Sequence, residues 1–231
     1  MALAISGGSD SMALAVLAAE HFGTERITGL IVDHQLKDVG VTENPEKVQE
    51  NVRKLGIQSH ILKITWKSQS TFSSPIIPGK LMMQSREKRY RALFDECKRN
   101  NIPLLLTGHN LEDDIVTMFY RISRMSGLDG LAAMKITSTF PFPAPGLDSF
   151  FILRPFLSTP KRQLIETCLE RGLNWTYDQS NDDLSFRRNE CLQALLELQA
   201  ENPAITKDSL AKLLDSFKRH RSYIQQKGTK L

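Results

Sequence analysis

The chain has 231 residues, 41% of them apolar and 24% charged, and carries a formal net charge of +4. That is the mixture of a soluble globular protein with one core of ordinary domain size and some sequence to spare. No apolar run approaches the roughly 20 residues of a membrane span, and no secretory leader precedes the first apolar run, so a membrane partner is excluded from the expected functions. Cys97, Cys168 and Cys191 are dispersed and form no Cys-x-x-Cys pair, which points to a reducing compartment and away from a zinc or iron–sulfur site. Charge is uneven along the chain. From Lys207 onward, Lys212, Lys218, Arg219, Arg221, Lys227 and Lys230 stand against only Asp208 and Asp215, and Arg86, Lys88, Arg89 and Arg91 form a second cluster. Basic faces attract polyanions such as nucleic acid, although many are plain solvated helix faces.

In chain order, a short apolar run enters the turn Ser6-Gly-Gly-Ser-Asp-Ser11, which opens directly into an alanine- and leucine-rich helical pattern over 10–20. Gly7 and Gly8 lack a Cβ, so backbone there can approach an anion and take positive φ. Ser6 and Ser11 add hydroxyl donors, and the helix that follows aims its unsatisfied N–H groups at the turn. The stretch predicts a phosphate cradle, though it is neither a Walker A loop nor the Gly-x-Gly-x-x-Gly fingerprint. An ordinary turn with a Ser or Asp cap is the plain alternative.

Residues 27–32 are β-branched and apolar, as in an interior parallel strand, and end in Asp33-His34. A helix is expected over 43–55, closed by Gly56, and a strand over 59–64. Residues 65–80 carry Ser, Thr and Pro with little periodicity and read as a mobile connection. A long helix over 82–100 brings Arg86, Arg89 and Tyr90 within one turn, able to face one ligand together. A strand over 103–106 then delivers Thr107-Gly-His-Asn-Leu-Glu-Asp-Asp114 into a helix that runs to Arg124. Strands and helices in alternation predict an α/β fold, a doubly wound parallel sheet with right-handed connections. Three strands lead into Ser6, Asp33 and His109, which therefore converge on the sheet edge where such folds bind ligands.

Beyond lie a two-glycine loop over 124–131 and a Pro-rich hairpin tip or insertion over 140–145. Ser158-Thr-Pro-Lys-Arg162 starts a helix that Gly172 ends, and amphipathic helices are expected over 190–200 and 207–226. The expected division is a nucleotide-type domain over 1–157 and a helical region over 158–231.

The turn Ser6–Ser11 resembles the SGGxDS motif of the PP-loop, or N-type, ATP pyrophosphatases, which cleave ATP between its α and β phosphates. Further matches are Val32-Asp-His34 with Leu36 and Lys37, Arg86 with Arg89-Tyr90, and Thr107-Gly-His109 through Asp113. Ser126-Gly-Leu-Asp-Gly-Leu131, Arg154-Pro155, Asp178-Gln-Ser-Asn181 and Arg188-Asn189 follow in order. Together these resemble the catalytic domain of the tRNA(Ile)-lysidine synthases. The resemblance implies an adenine nucleotide alpha hydrolase-like, Rossmann-like domain followed by a small helical C-terminal region. It also implies an ATP-dependent carbon–nitrogen ligase that joins L-lysine to the wobble cytidine of tRNA(Ile) through an adenylated intermediate, releasing pyrophosphate and AMP. On that basis Ser6, Gly7, Gly8, Ser9, Asp10 and Ser11 bind ATP, and Asp33, His34, His109 and Asp113 act in catalysis or hold the lysine. Arg86, Arg89, Arg154 and Arg188 meet substrate or tRNA phosphates, and Asp10 and Asp113 hold Mg²⁺. A cytoplasmic location is expected, a mitochondrial matrix being the alternative, and a homodimer is compatible with the sequence. The basic terminal helices, Lys218 and Arg219 foremost, are expected to contact tRNA.

Plain alternatives stand beside these roles. Asp33 and Asp113 also suit helix capping, His34 and His109 also suit packing, and Arg154 also suits an ion pair with Asp178. The family commonly shows His-His-x-Asp-Asp-Gln-x-Glu-Thr where this chain has Asn110, Glu112 and Val116, and Met82 stands where a Glu is expected. A 2-thiolating PP-loop enzyme is a rival that the missing Cys-x-x-Cys and the Ser126–Leu131 loop disfavour; a non-catalytic nucleotide- or tRNA-binding module is another.

Overall fold

A computed structural model describes residues 1–35, 44–66, 81–142, 150–176 and 187–228. Leu36, Lys37, Asp178–Asn181, most of the 65–80 connection, the end of the Pro-rich insertion and the Arg188 side chain lie outside the described residues. The strands are β1 Ala2–Ala4, β2 Thr28–Asp33, β3 Gln58–Lys63, β4 Leu104–Thr107, β5 Thr137–Thr139 and β6 Phe151–Leu153. The α-helices are α1 Ser9–Phe22, α2 Pro45–Lys54, α3 Leu81–Arg99, α4 Leu111–Ile122, α5 Leu128–Leu131, α6 Lys161–Glu170, α7 Arg187–Glu201 and α8 Lys207–Gly228. They fall into two compact units. The first comprises Met1–Gly108, Ile136–Pro155 and Lys161–Ser180, the second His109–Lys135, Phe156–Pro160 and Asn181–Leu231.

The first unit holds one sheet in the order β3-β2-β1-β4-β6-β5. Every neighbouring pair is parallel except β5 on β6. The chain runs outward from β1 to β2 and β3, then resumes at β4 on the other side of β1, so the order reverses between β1 and β4. Ala4, at the end of β1, pairs with Leu30 on one side and Thr107 on the other. The carboxyl ends of β1, β2, β3, β4 and β6 consequently share one edge, and the reversal opens the crevice in which doubly wound sheets take ligands. The strands β1, β2 and β4 form where short apolar runs end at turn residues, whereas β3, Gln-Ser-His-Ile-Leu-Lys, is a part-polar strand at the edge of the sheet. Asn44, whose Oδ1 accepts the Lys47 N–H at 2.9 Å, caps α2 ahead of Pro45.

Ala2, Leu30, Leu105 and Ile152 bury one face of this sheet under Tyr90, Leu93, Phe94 and Cys97 of α3. Phe140 stacks on Phe94 with ring centres 4.8 Å apart, and Phe150 meets Phe94 edge-on at 5.2 Å. Tyr90 is 3% exposed within that cluster, which corrects the expectation that it faces a ligand beside Arg86 and Arg89.

In the second unit, Ile115, Val116 and Met118 of α4 pack with Ala133, Leu195 of α7 and Leu210 and Leu214 of α8. Packing thus groups α4 and α5 with α7 and α8, whereas α6 belongs to the first unit, a grouping that a cut at 157/158 does not follow. Asp114 is fully buried here. Its Oδ2 accepts from Lys218 Nζ at 2.5 Å and its Oδ1 from the Met134 N–H at 2.8 Å. Lys218 is therefore engaged in an internal ion pair, which corrects its expected place on an RNA-facing surface. Arg219 remains exposed, 3.4 Å from Asp215. Among the described residues no helix is long and apolar enough to cross a membrane.

Candidate active site

The loop after β1 is built around one hydroxyl. Ser11 Oγ accepts from the Gly7 N–H (3.1 Å) and from Ser6 Oγ (3.3 Å), and donates to the Gly8 carbonyl (2.9 Å). Gly7 sits at φ +89°, and a Cβ there would fall 2.4 Å from Val48 Cγ2 of α2, so glycine is required on both counts. The Gly7 carbonyl accepts from Thr176 twice, from its N–H at 2.9 Å and from its Oγ1 at 3.2 Å. Gly8 is the N-cap of α1, extended, and provides no side-chain cap. A helix N-terminus without a side-chain cap, behind a glycine turn, is the standard device for binding an anion through backbone N–H groups.

The end of β4 closes the same crevice. A Cβ on Gly108 would lie 2.9 Å from the Asp10 carbonyl oxygen, so backbone runs against backbone where β4 passes the first turn of α1. The Asp10 carboxylate accepts from Ser9 Oγ at 3.3 Å and stands 3.8 Å from Lys161 Nζ, the first residue of α6. That helix packs on α1: Cys168 Sγ donates to the Ser9 carbonyl at 3.3 Å, and Arg171 meets Glu20 at 2.7 and 3.0 Å. Burial pushes the Cys168 thiol up, and Cys97 is likewise pushed up to about 12, chiefly by burial, so both are packed thiols and poor nucleophiles.

The other candidates differ in what they reach. Asp33, at the end of β2, is part-exposed; its Oδ1 accepts the Gln35 N–H at 2.9 Å and braces a turn in which Gln35 has φ +52°. It does not cap α2, a role that Asn44 fills. His34 is buried at 7% exposure, with its Nδ1 sharing a 2.8 Å hydrogen bond with Ser85 Oγ, while its carbonyl accepts from Trp66 Nε1 at 2.6 Å. These contacts make His34 a brace between β2 and α3. Arg86 is exposed and Arg89 part-exposed, each with its guanidinium over the Tyr90 ring, at 4.9 and 6.0 Å. Arg154 is buried and donates to Ser138 Oγ at 2.9 Å, a contact that ties β6 to β5.

His109 and Asp113 belong to the second unit. Asn110 Oδ1 accepts the Asp113 N–H at 3.0 Å and Asp113 Oδ2 accepts the Asn110 N–H at 3.1 Å, a reciprocal capping box at the start of α4. The capping alternative for Asp113 is thus the arrangement observed. Val116 is 3% exposed in the apolar cluster of this unit, so the residue that departs from the family pattern points into packing. Sequence reasoning missed Lys161, which read only as a helix start, and Thr176, which carried no motif at all. The proximity of each to the loop is a product of the tertiary fold.

A phosphate-type loop at the reversal point of a parallel sheet defines the class. A family model described as PP-loop domain matches residues 1–198, and the chain belongs to that family. Its curated relatives include tRNA(Ile)-lysidine synthases. That of Methylobacterium nodulans is 31% identical over 218 residues, covering 94% of this chain and 59% of the relative. That of Rickettsia bellii is 32% identical over 198 residues (84% and 42%), and that of Wolbachia pipientis wMel 30% over 191 (81% and 41%). The chain spans about half the length of these relatives. Among solved structures, the U34-tRNA thiolase NcsA from Methanococcus maripaludis superposes with a TM-score of 0.67 at 18% identity, covering 95% of this chain and 71% of that one. At that identity the likeness concerns the fold alone.

Proposed function

We propose that this protein uses ATP to join L-lysine to the wobble cytidine of tRNA(Ile), forming lysidine through an adenylated cytidine and releasing pyrophosphate and AMP. The observation that carries the reading is the Ser6–Ser11 loop, folded around Ser11 and leading into a helix with no side-chain cap at the sheet's reversal point. The names of the relatives support the lysine and tRNA parts of it.

In this reading the backbone of residues 7–11 holds the triphosphate, and catalysis consists of positioning the α-phosphorus and taking up charge on the leaving group. The cytosine C2 oxygen attacks the α-phosphorus, pyrophosphate departs, and the lysine amine then displaces AMP at C2. Asp33, half-open at the same edge, holds the lysine ammonium through a charge-assisted hydrogen bond. His34 acts by fixing the end of β2, and Asp113 by fixing where α4 begins behind His109. Arg86, Arg89 and Arg188 meet tRNA phosphates, and Arg154 serves the site by holding β6.

The donor chemistry of the loop suits Mg²⁺, which is commonly held by one or two carboxylates plus substrate phosphates. Asp10 is that carboxylate. Among the described residues no group of three or more His, Cys, Asp or Glu side chains gathers, so the remaining coordination would come from phosphate and water. A bound Mg²⁺ supplies charge neutralisation on the phosphates. In the second unit, Ser216, Arg219, His220 and Tyr223 line a surface pocket on α8, and Lys227 Nζ lies 5.8 Å from the Tyr223 ring centre. That stripe, with cations beside an aromatic face, replaces Lys218 as the expected RNA contact.

The test is mass analysis of nucleosides from tRNA(Ile) after incubation with the protein, ATP and lysine. Lysidine and lysine-dependent AMP are expected; ATP binding without any pyrophosphate release would leave only a binding module.

A further inference from the structure

We infer that Lys161 is a phosphate-contacting residue of this site, its ammonium taking the pyrophosphate end of the bound nucleotide. The inference rests on the nucleotide reading above and adds a residue that no motif assigns. Its starting point is Asp10. A carboxylate in the first turn of a helix that serves as an anion cradle repels the anion it must admit, and a cation within reach offsets that repulsion. Lys161 Nζ stands 3.8 Å from Asp10 Oδ2, close enough to pair electrostatically and too far for a tight hydrogen bond. Its side chain is 48% exposed, so it can swing toward a ligand without leaving a buried position.

The base of that side chain is fixed with respect to the loop. From α6, Cys168 donates to the carbonyl of Ser9, the residue next to Asp10, and Arg171 clamps Glu20 of α1 with two hydrogen bonds. Roughly three turns of helix thereby hold a flexible cation at a set distance from the loop. Two arginines expected at the site are held elsewhere, Arg154 buried on Ser138 and Arg86 over Tyr90. When the bond from the α-phosphorus to the bridging oxygen breaks, its electron pair stays on the departing pyrophosphate, and the new bond from the attacking oxygen replaces it. The charge gained is on the leaving group, the partner an ammonium here would take up, and Asp10 is released from Lys161 as it does so.

The experiment is calorimetric titration of the whole protein, Lys161→Ala and Lys161→Arg with inorganic pyrophosphate, ATP and AMP at one ionic strength. Lys161→Ala is expected to weaken pyrophosphate and ATP by about tenfold or more, the size of a charge-assisted contact, and AMP by no more than about twofold. Lys161→Arg is expected to restore most of the loss, with melting temperatures alike in all three proteins. An equal loss for AMP, a lowered melting temperature, or unchanged pyrophosphate affinity overturns the inference. If the unaltered protein binds neither ATP nor pyrophosphate, the nucleotide reading fails and takes this with it. ATP binding that survives Lys161→Ala intact removes Lys161 alone.

Discussion

Two helices of this protein begin just beyond strands of the same sheet, α1 after β1 and α4 after β4, and their first turns are built in opposite ways. Both carry carboxylates there. In α4 every one of them has an internal partner: Asp113 closes a capping box with Asn110, Glu112 meets Lys207 at 3.1 Å, and Asp114 is buried on Lys218 and the Met134 N–H. In α1 the N-cap is a glycine with no side chain to offer, and Asp10 has Lys161 at 3.8 Å. The first turn of α4 is capped by a side chain, whereas that of α1 leaves its cap position to backbone alone. Following a strand of the sheet in the chain therefore does not leave a carboxylate open to a ligand. What its neighbours already supply decides that.

The contrast can be broken at either end. The largest effect is expected from Lys218→Ala, which strands a buried carboxylate and should cost about 3–5 kcal/mol in urea denaturation followed by circular dichroism. Burial raises the Asp114 carboxyl above its ordinary 3.8, with Lys218 opposing. The folded state then holds that proton to higher pH than the unfolded chain, so its contribution to stability is full below 3.8 and is lost as pH rises through the raised value. The Lys218→Ala defect should accordingly shrink in acid, where Asp114 is neutral; a deficit independent of pH would mean that the pair matters only through packing.

Giving α1 the cap it lacks comes next. Space beside Gly8 is adequate, since an added Cβ meets nothing nearer than Ser6 Oγ at 3.8 Å. Gly8→Asp should leave the melting temperature unchanged or raised while ATP affinity, measured by titration, falls by about a hundredfold through like-charge repulsion. Undiminished affinity would place the anion elsewhere. Gly108→Ala forces a methyl onto the Asp10 carbonyl and should cost about 1–3 kcal/mol of stability, together with a loss of ATP affinity as α1's first turn shifts. The smallest effect is expected from Asn110→Ala, which removes the α4 cap for about 1 kcal/mol in thermal or urea unfolding.

Much of the first unit was legible because its signals are local. The runs that become β1, β2 and β4 are apolar and lead into Ser6-Gly7, Asp33 and Thr107, and the Ser6–Ser11 turn stands out by its glycines and hydroxyls. β5 was not legible, being Thr137-Ser138-Thr139, three polar residues that are a strand only because Leu153 and Phe151 pair with them. Nor was α5, a single turn inside what reads as a glycine loop. The site candidates separate along the same line. Asp33 and the loop lie where periodicity and topology put them, but the partners that tie down His34, Arg154 and Lys218 come from sequence-distant elements. Lys218 looks like one more charge in a basic run, and only the packing of α8 on α4, 104 residues apart at the contact, gives it Asp114. Position 116 reads as a missing carboxylate and proves to be core.

The two hydrogen bonds from Thr176 to Gly7 tie the first turn of the chain to a residue 169 positions later. During synthesis that closure must wait: the loop is translated well before Thr176, and its carbonyl meets this partner only once nearly all of the first unit has been made. A nascent chain released short of Thr176 would display the whole motif and still lack the strap that finishes it.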